Sequence, residues 1–331
     1  MLHKANKRYT VVFAVLTLAL VTALVLALLF GSASLRLREL VSGFAGGEGY
    51  TAVIARYVRL PRVAAALLAG VGLAVSGTLL QGVTDNGLAS PNIIGVNAGA
   101  GLAVILMLSY YPEAVRLLPL AAFGGALAAT LAIVFTAGRI GMSKTTVVLA
   151  GMALTTVLNA GISFVSLLDA DVVGMYRYFS IGTLAGVQLK QLAVPCGMIL
   201  LSLALSLIFA RRMDALCLGD AAATALGIPV KRLRVICLLC ASASAAAVVS
   251  FAGLLGFVGL IVPHIARRLV GGSMGRVLPA SALAGGTLVL LADLLGRTLF
   301  APSELPVGIV MALIGAPFFL WLLLRKGERH A

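Results

Sequence analysis

The stretch Arg59-Leu60-Pro61-Arg62, followed by the apolar run from Val63 to Thr84 (VAAALLAGVGLAVSGTLLQGVT), decides the fold of this chain. No charged residue lies between Val63 and Thr84, and about 22 such residues are enough for a helix to cross a bilayer. The run is rich in Gly, Ala and Ser, which let helix backbones approach closely inside a membrane. The stretch therefore predicts one helix of a packed, multi-helix membrane protein.

The composition of the whole chain agrees with a membrane-embedded protein. Its 331 residues are 61% hydrophobic and 11% charged, with a mean hydropathy of +1.11, whereas soluble domains carry roughly 25% charged residues. A net charge of +14 could indicate nucleic-acid binding. However, the basic residues lie between apolar runs and do not alternate with aromatic residues. This pattern is typical of topology signals, and we expect no nucleic-acid partner.

Uncharged blocks predict the membrane crossings. They cover residues 9–35, 63–84, 86–112, 117–138, 145–168, 191–210, 235–266, 277–292 and 305–324. The block 235–266 is too long for one helix across a core of about 30 Å, so we split it near Gly253. The prediction is an all-α, polytopic membrane protein with about ten transmembrane helices in a single domain, 1–331.

The distribution of Lys and Arg predicts that both termini lie on the inner side, because most basic residues then fall on inner segments. The cluster Arg56, Arg59 and Arg62 falls outside and runs against this rule, which suggests a functional positive patch. Two segments are predicted not to cross. Residues 169–188 should form a short outer helix and loop, and residues 211–234 a short inner helix with a glycine turn.

The sequence offers no evident enzyme site, and we expect no cofactor and no bound metal. Asp293 is the one acid well inside an apolar stretch, and Arg297 follows it by one helical turn, so we expect a paired, outward-leaning carboxylate. An ion-coupled secondary carrier would be expected to bury more ionisable groups. The segment 138–145 resembles a phosphate-binding loop, but Ser143 replaces its second glycine and no strand precedes it. We therefore expect no ATPase site in this chain.

Several motifs in the right order are similar to those of one family. The chain resembles the permease subunit of type II ABC importers, the FecCD-type family that carries ferric siderophores, haem and cobalamin. The motifs are Arg59-Leu60-Pro61-Arg62, Ser76-Gly77-Thr78-Leu79-Leu80-Gln81 with Asn86 to Pro91, Leu218-Gly219-Asp220 with Leu226-Gly227, Gly256 to His264, Leu291-Ala292-Asp293, and Glu304 to Gly308 with Gly315-Ala316-Pro317.

This resemblance implies partners and site residues. The partners are a second copy or a similar permease, two cytoplasmic ABC ATPase subunits, an extracytoplasmic substrate-binding protein, and membrane lipid. The implied docking residues for the binding protein are Arg59, Arg62 and Arg297. The implied ATPase-coupling residues are Leu218, Gly219, Asp220, Ala225, Leu226 and Gly227. The implied cytoplasmic gate comprises Asn86, Leu88, Ser143, Lys144 and Thr145.

The resemblance implies a multi-pass permease in the bacterial cell (inner) membrane that forms the pathway for a ferric siderophore. Haem and cobalamin remain alternatives within the family, and an ion-coupled secondary transporter is the alternative outside it. We expect the pathway walls to be small and apolar and to come from residues 68–99 and 145–168.

Overall fold

The computed structural model describes residues 2–31, 38–39 and 49–327, and these residues form helices and turns without strands. We number the main helices α1 to α12. They are α1 Leu2–Leu29, α2 Tyr50–Thr84, α3 Val96–Tyr110, α4 Leu118–Ile140, α5 Lys144–Leu168, α6 Ala170–Ile181, α7 Ala193–Leu216, α8 Asp220–Ala225, α9 Val230–Ala252, α10 Val258–Val270, α11 Met274–Thr298 and α12 Val307–Gly327. Helix α2 is π-helical over Ile54–Arg59, and short 3-10 helices precede α4 and α7.

Seven of these segments are long and apolar enough to cross a membrane, and they contain α1, α2, α4, α5, α7, α9 and α11. Helices α3, α10 and α12 are shorter and correspond to the remaining three of the ten predicted transmembrane helices. The all-helical, multi-span fold is thus confirmed. The end of the first predicted block, residues 32–35, lies outside the described residues.

Helix α2 lies in the centre of the bundle, and its glycines explain how it packs. A methyl group added to Gly70 would overlap the backbone of Gly285 in α11, and one added to Gly77 would overlap Gly259 in α10. Helices therefore cross α2 in backbone contact, which only residues without a side chain allow. The close approach predicted from the small residues of this stretch is confirmed.

The predicted break in the block 235–266 is also confirmed. Helix α9 ends at Ala252, Gly253 has a φ of +69°, and α10 begins at Val258. The backbone groups that the break leaves without helical partners bond to the last turn of α6 and to the loop that follows it. Leu254 N donates to Phe179 O at 3.1 Å, and Thr183 N donates to Ala252 O at 2.9 Å. These bonds are needed because an unpaired backbone group within a membrane is costly.

The predicted crossing 86–112 is wrong over its first ten residues, because a helix forms only from Val96. Asp85 ends α2 in a left-handed conformation, and turns follow, with Ala89 N bonded to Asn86 O and Ile93 N bonded to Ser90 O. The polar run containing Asn86-Gly87 and Ser90-Pro91 favours turns over helix. Hydropathy alone did not reveal this interruption.

Contacts between helix ends define two ends of the bundle. At the "arginine end", Arg59 Nη1 donates to Leu28 O at 2.6 Å and Arg297 Nη2 donates to Ala27 O at 3.1 Å. At the opposite "α8 end", Lys144 contacts Asp85 and Ser273 contacts Asp214, each at 2.9 Å. Helix α6 and the loop after it adjoin the arginine end, since Gly308 N donates to Gly182 O. The short helices expected within 169–188 and 211–234 are both present.

Candidate functional site

The arginine end contains a buried network of opposite charges. Arg62 Nε lies 3.0 Å from Asp293 Oδ1, and Arg62 Nη1 lies 2.6 Å from Glu304 Oε2. Arg297 Nε lies 3.1 Å from the second oxygen of Asp293. One carboxylate thus bridges two guanidinium groups inside an otherwise apolar bundle, where unpaired charges would be strongly unfavourable.

The expected partner of Asp293 is correct, but its expected exposure is wrong. Asp293 is only 2% exposed and does not lean outward. The reason is that Arg62, 231 positions earlier, reaches the same carboxylate from α2. The spacing of four residues within α11 predicts the pair of Asp293 and Arg297. Such spacing contains no information on the contact that Arg62 makes from α2.

A cavity of about 230 Å³ opens beside this network. It is lined by Gly31, Tyr50, Ile54, Val58, Arg59, Arg62, Arg297 and Glu304. The structure therefore brings the three predicted docking arginines to one place, although each is at most 7% exposed overall. The three guanidinium groups lie beside two carboxylates, those of Asp293 and Glu304.

At the opposite end, α8 forms a small exposed platform. Gly219, with a φ of +102°, precedes the helix, and Gly227, with a φ of +77°, follows it. Both values favour glycine, because a side chain is strained in this region. Leu218 and Leu226 are 69% and 65% exposed on either side of the platform. Six predicted coupling residues thus lie on one short segment.

Arg234 connects this platform to the turn between α4 and α5. Its guanidinium group is buried, donates to Asp220 Oδ1 at 2.9 Å, and also donates to the carbonyl of Met142. Met142 immediately precedes the predicted gate residues Ser143, Lys144 and Thr145. One side chain thus contacts both α8 and that turn.

The predicted gate residues lie together at the α8 end. Lys144 forms an ion pair with Asp85 at 2.9 Å, and Asn86 Oδ1 accepts from Leu88 N at 2.9 Å. Ser143 caps α5 by accepting from Thr146 N at 3.0 Å, and Thr145 is exposed in the first turn. Their role as a gate stays a prediction.

Sequence reasoning missed three charged residues that organise these sites. Glu304 binds Arg62, Arg234 links α8 to Met142, and Asp85 neutralises Lys144. The sequence did contain a signal for Arg234, because this charged residue lies in the first turns of the membrane-spanning helix α9. Among the described residues, no group of three His, Cys, Asp or Glu side chains could hold a metal ion.

We predict that Asp293→Asn strongly destabilises the protein, because it leaves Arg62 and Arg297 buried without their shared carboxylate. Breaking a buried pair costs about 3–5 kcal/mol. The matched control is Asp171→Asn, an exposed acid in the first turn of α6, for which we expect less than about 1 kcal/mol. Thermal unfolding of the full-length protein in detergent measures both. Equal melting points for the two variants would contradict the network's role.

Comparison with known proteins agrees with this architecture. The model of the FecCD transport family matches residues 18–325. The chain is 39% identical over 314 residues to the Fe(3+) dicitrate transport system permease protein FecD of Escherichia coli (strain K12), covering 94% of this chain and 97% of the relative. It is 38% identical over 281 residues to the hemin transport system permease protein HmuU of Yersinia pestis, covering 83% of this chain and 84% of the relative.

A solved structure supports the same conclusion. A metal-chelate type ABC transporter in an inward-facing conformation matches with a TM-score of 0.85 and 30% sequence identity, covering 96% of this chain and 99% of that chain. The multiple apolar spans and these matches agree over nearly the whole chain. The chain therefore belongs to the FecCD transport family and is a multi-pass ABC-importer permease of the cell membrane.

Proposed function

We propose that this chain forms the translocation pathway of an ATP-driven importer for a ferric siderophore, delivered by an extracytoplasmic binding protein. The observation that carries the proposal is the difference between the two ends. One end has a cavity lined by three arginines, and the other has an exposed platform that Arg234 links to the turn before the predicted gate residues. The Escherichia coli relative, which is named for a ferric chelate, supports iron as the cargo. Haem is the second candidate, because a relative of nearly equal identity is named for hemin.

In this proposal, the permease pairs with a second copy or a similar permease, and two ATPase subunits bind the α8 end. Leu218 and Leu226 would insert into the ATPase surface, since exposed leucines outside the membrane-spanning segments are suited to protein contacts. ATP binding would displace α8, and Arg234 would transmit this displacement to the turn before Lys144. Hydrolysis would take place on the ATPase subunits and not on this chain.

The binding protein would dock at the arginine end. An acidic side chain entering the cavity would meet the guanidinium groups of Arg59, Arg62 and Arg297, which line it. Glu304 is the more accessible of the two carboxylates, with a side-chain exposure of 31% against 2% for Asp293. We propose that the incoming acid replaces Glu304 at Arg62, while Asp293 continues to hold the two arginines in place.

This exchange predicts that Glu304→Gln tightens docking, because it removes a carboxylate that competes for Arg62. We expect the dissociation constant of the binding protein to fall by about 1.5-fold to fivefold, which corresponds to the energy of a partly exposed ion pair. This dissociation constant is measured by surface plasmon resonance on the full-length permease in nanodiscs, at low and at high salt. The control is Glu113→Gln, an exposed acid at the same end. Unchanged or weaker docking of the Glu304 variant would contradict the exchange.

Uptake in whole cells tests the function itself. We expect that deleting the chain abolishes import of one labelled chelate among ferric siderophores, haem and cobalamin, and that the wild-type chain restores it. Restored import should persist when the proton gradient is collapsed while ATP is maintained. Import that stops with the gradient would instead indicate an ion-coupled carrier.

A further inference from the structure

Four arginines at the α8 end each lie over the ring of an aromatic side chain. The guanidinium carbon is 4.2 Å from the ring centre for Arg276 over Tyr9, 5.1 Å for Arg139 over Phe135, 5.5 Å for Arg212 over Phe209 and 5.9 Å for Arg268 over Trp321. A cation within about 6 Å of a ring centre is attracted by the electrons of the ring face. Each ring therefore holds a guanidinium group at a defined place on the bundle.

Three of these stacked arginines lie at the level where lipid headgroups meet the bundle. Arg139, Arg212 and Arg276 each lie within four residues of an end of a membrane-spanning segment. The segments are Pro112–Ile140, Leu189–Leu216 and Met274–Thr298. Aromatic rings are common at this level, because the headgroup region accommodates both their apolar faces and neighbouring polar groups.

The rings beneath the arginines are placed to contact lipid. Phe135 lies one turn deeper in its span than Arg139 and is 63% exposed. Phe209 likewise lies three residues deeper than Arg212 in the span that ends at Leu216. A protein that docks outside the membrane cannot cover a ring inside a spanning segment, whereas lipid can.

The guanidinium groups keep their hydrogen-bonding capacity. Within the described ranges, none of the four stacked arginines forms an ion pair or donates a hydrogen bond to a side chain or backbone group. Stacking occupies the flat face of a guanidinium group and leaves its five N–H donors at the edge. These edges match the oxygens of a phosphate, which can accept two parallel N–H groups from one arginine.

The described acids at the α8 end are engaged by other groups. Asp85 binds Lys144, Asp214 accepts from the backbone N–H of Met274, and Asp220 binds Arg234. These carboxylates therefore do not neutralise the stacked arginines. An anionic group from outside the described chain is the partner that fits their charge.

We propose that the stacked arginines bind the headgroup phosphates of anionic phospholipids in the inner leaflet. The α8 end is the end predicted to lie inside, and the cytoplasmic leaflet carries a negative surface charge that attracts basic side chains close to it. Each ring holds its arginine at headgroup level, and the edge of the guanidinium group donates to the phosphate. This inference rests on the membrane-spanning segments and goes beyond the proposed import function.

Tryptophan fluorescence tests the proposal at single sites, because bromine on a lipid chain quenches only nearby tryptophans. Trp321 is the one tryptophan of the chain, and Trp321→Phe removes it. In this background, Phe209→Trp places a reporter beneath Arg212, and Tyr9→Trp places one beneath Arg276. The full-length permease is reconstituted in vesicles of equal parts phosphatidylglycerol and phosphatidylcholine, with bromine on one lipid or on the other.

A third reporter is the matched control. Tyr111→Trp places the tryptophan at a site that is 69% exposed at the opposite end of the bundle, where it reports on lipids that contact no stacked arginine. At each site, the ratio of quenching by the two brominated lipids gives the preference for phosphatidylglycerol over phosphatidylcholine. Size-exclusion chromatography before reconstitution selects folded protein.

We expect a preference for phosphatidylglycerol of about fivefold at Phe209→Trp and at Tyr9→Trp, the effect of one arginine near an anionic surface. Adding Arg212→Gln to the first reporter and Arg276→Gln to the second should bring each preference within about twofold of equality. Tyr111→Trp should show no preference. Millimolar inorganic phosphate should leave the preferences unchanged, because a free anion lacks the anchoring of a lipid chain.

Four results would overturn the proposal. The first is equal quenching by both lipids at the two inner reporters, and the second is a preference that survives Arg212→Gln and Arg276→Gln. The third is an equal preference at Tyr111→Trp, which would indicate general enrichment of the anionic lipid. The fourth is loss of the preference in inorganic phosphate, which would indicate a site for free anions. Inner reporters that neither lipid quenches would also overturn it, because protein would then cover the rings.

Discussion

The structure depends on the constraint that polar groups inside a bilayer must find their partners within the protein. Arg62 and Arg297 satisfy it by sharing the Asp293 carboxylate. The backbone freed between α9 and α10 satisfies it through Phe179 and Thr183. Both solutions join segments that are distant in sequence, so the helices around α2 are fixed relative to each other. Glycine contacts such as Gly70 with Gly285 bring those helices close enough for the pairs to form.

The same constraint explains why the two ends differ. At the arginine end, charge is held in a buried network beside a cavity, which allows recognition of an acid without exposing an isolated charge to lipid. At the α8 end, the leucines are exposed on a short helix between two glycines, and Arg234 is the rigid connection below it. In the proposed function, a binding protein meets one end and an ATPase the other, and the two ends differ in chemistry accordingly.

Much of the fold was predictable from the sequence because hydropathy and glycine content act locally. The run from Val63 to Thr84 and the break at Gly253 are examples. The buried position of Asp293 was not predictable, because the deciding contact comes from Arg62 on another helix. The predicted block 86–112 ran through the turns before Val96 because it was drawn from the absence of charge, which does not weigh turn-forming residues such as Asn86-Gly87 and Ser90-Pro91. The contacts of Glu304 with Arg62 and of Asp85 with Lys144 join distant segments, and no sequence periodicity encodes them.

The most direct test of the account is whether α8 of this chain binds the partner ATPase subunits. The full-length tagged permease would be purified from native membranes, and the ATP hydrolysis of the isolated complex would be measured. The wild type and a Leu189→Asp control, an exposed leucine away from α8, should retain ATPase activity. Leu218→Asp combined with Leu226→Asp should lower this activity more than about tenfold, because the proposed ATPase interface includes both leucines. A permease that imports its chelate with no ATPase attached, or a double variant that keeps full activity, would contradict the account.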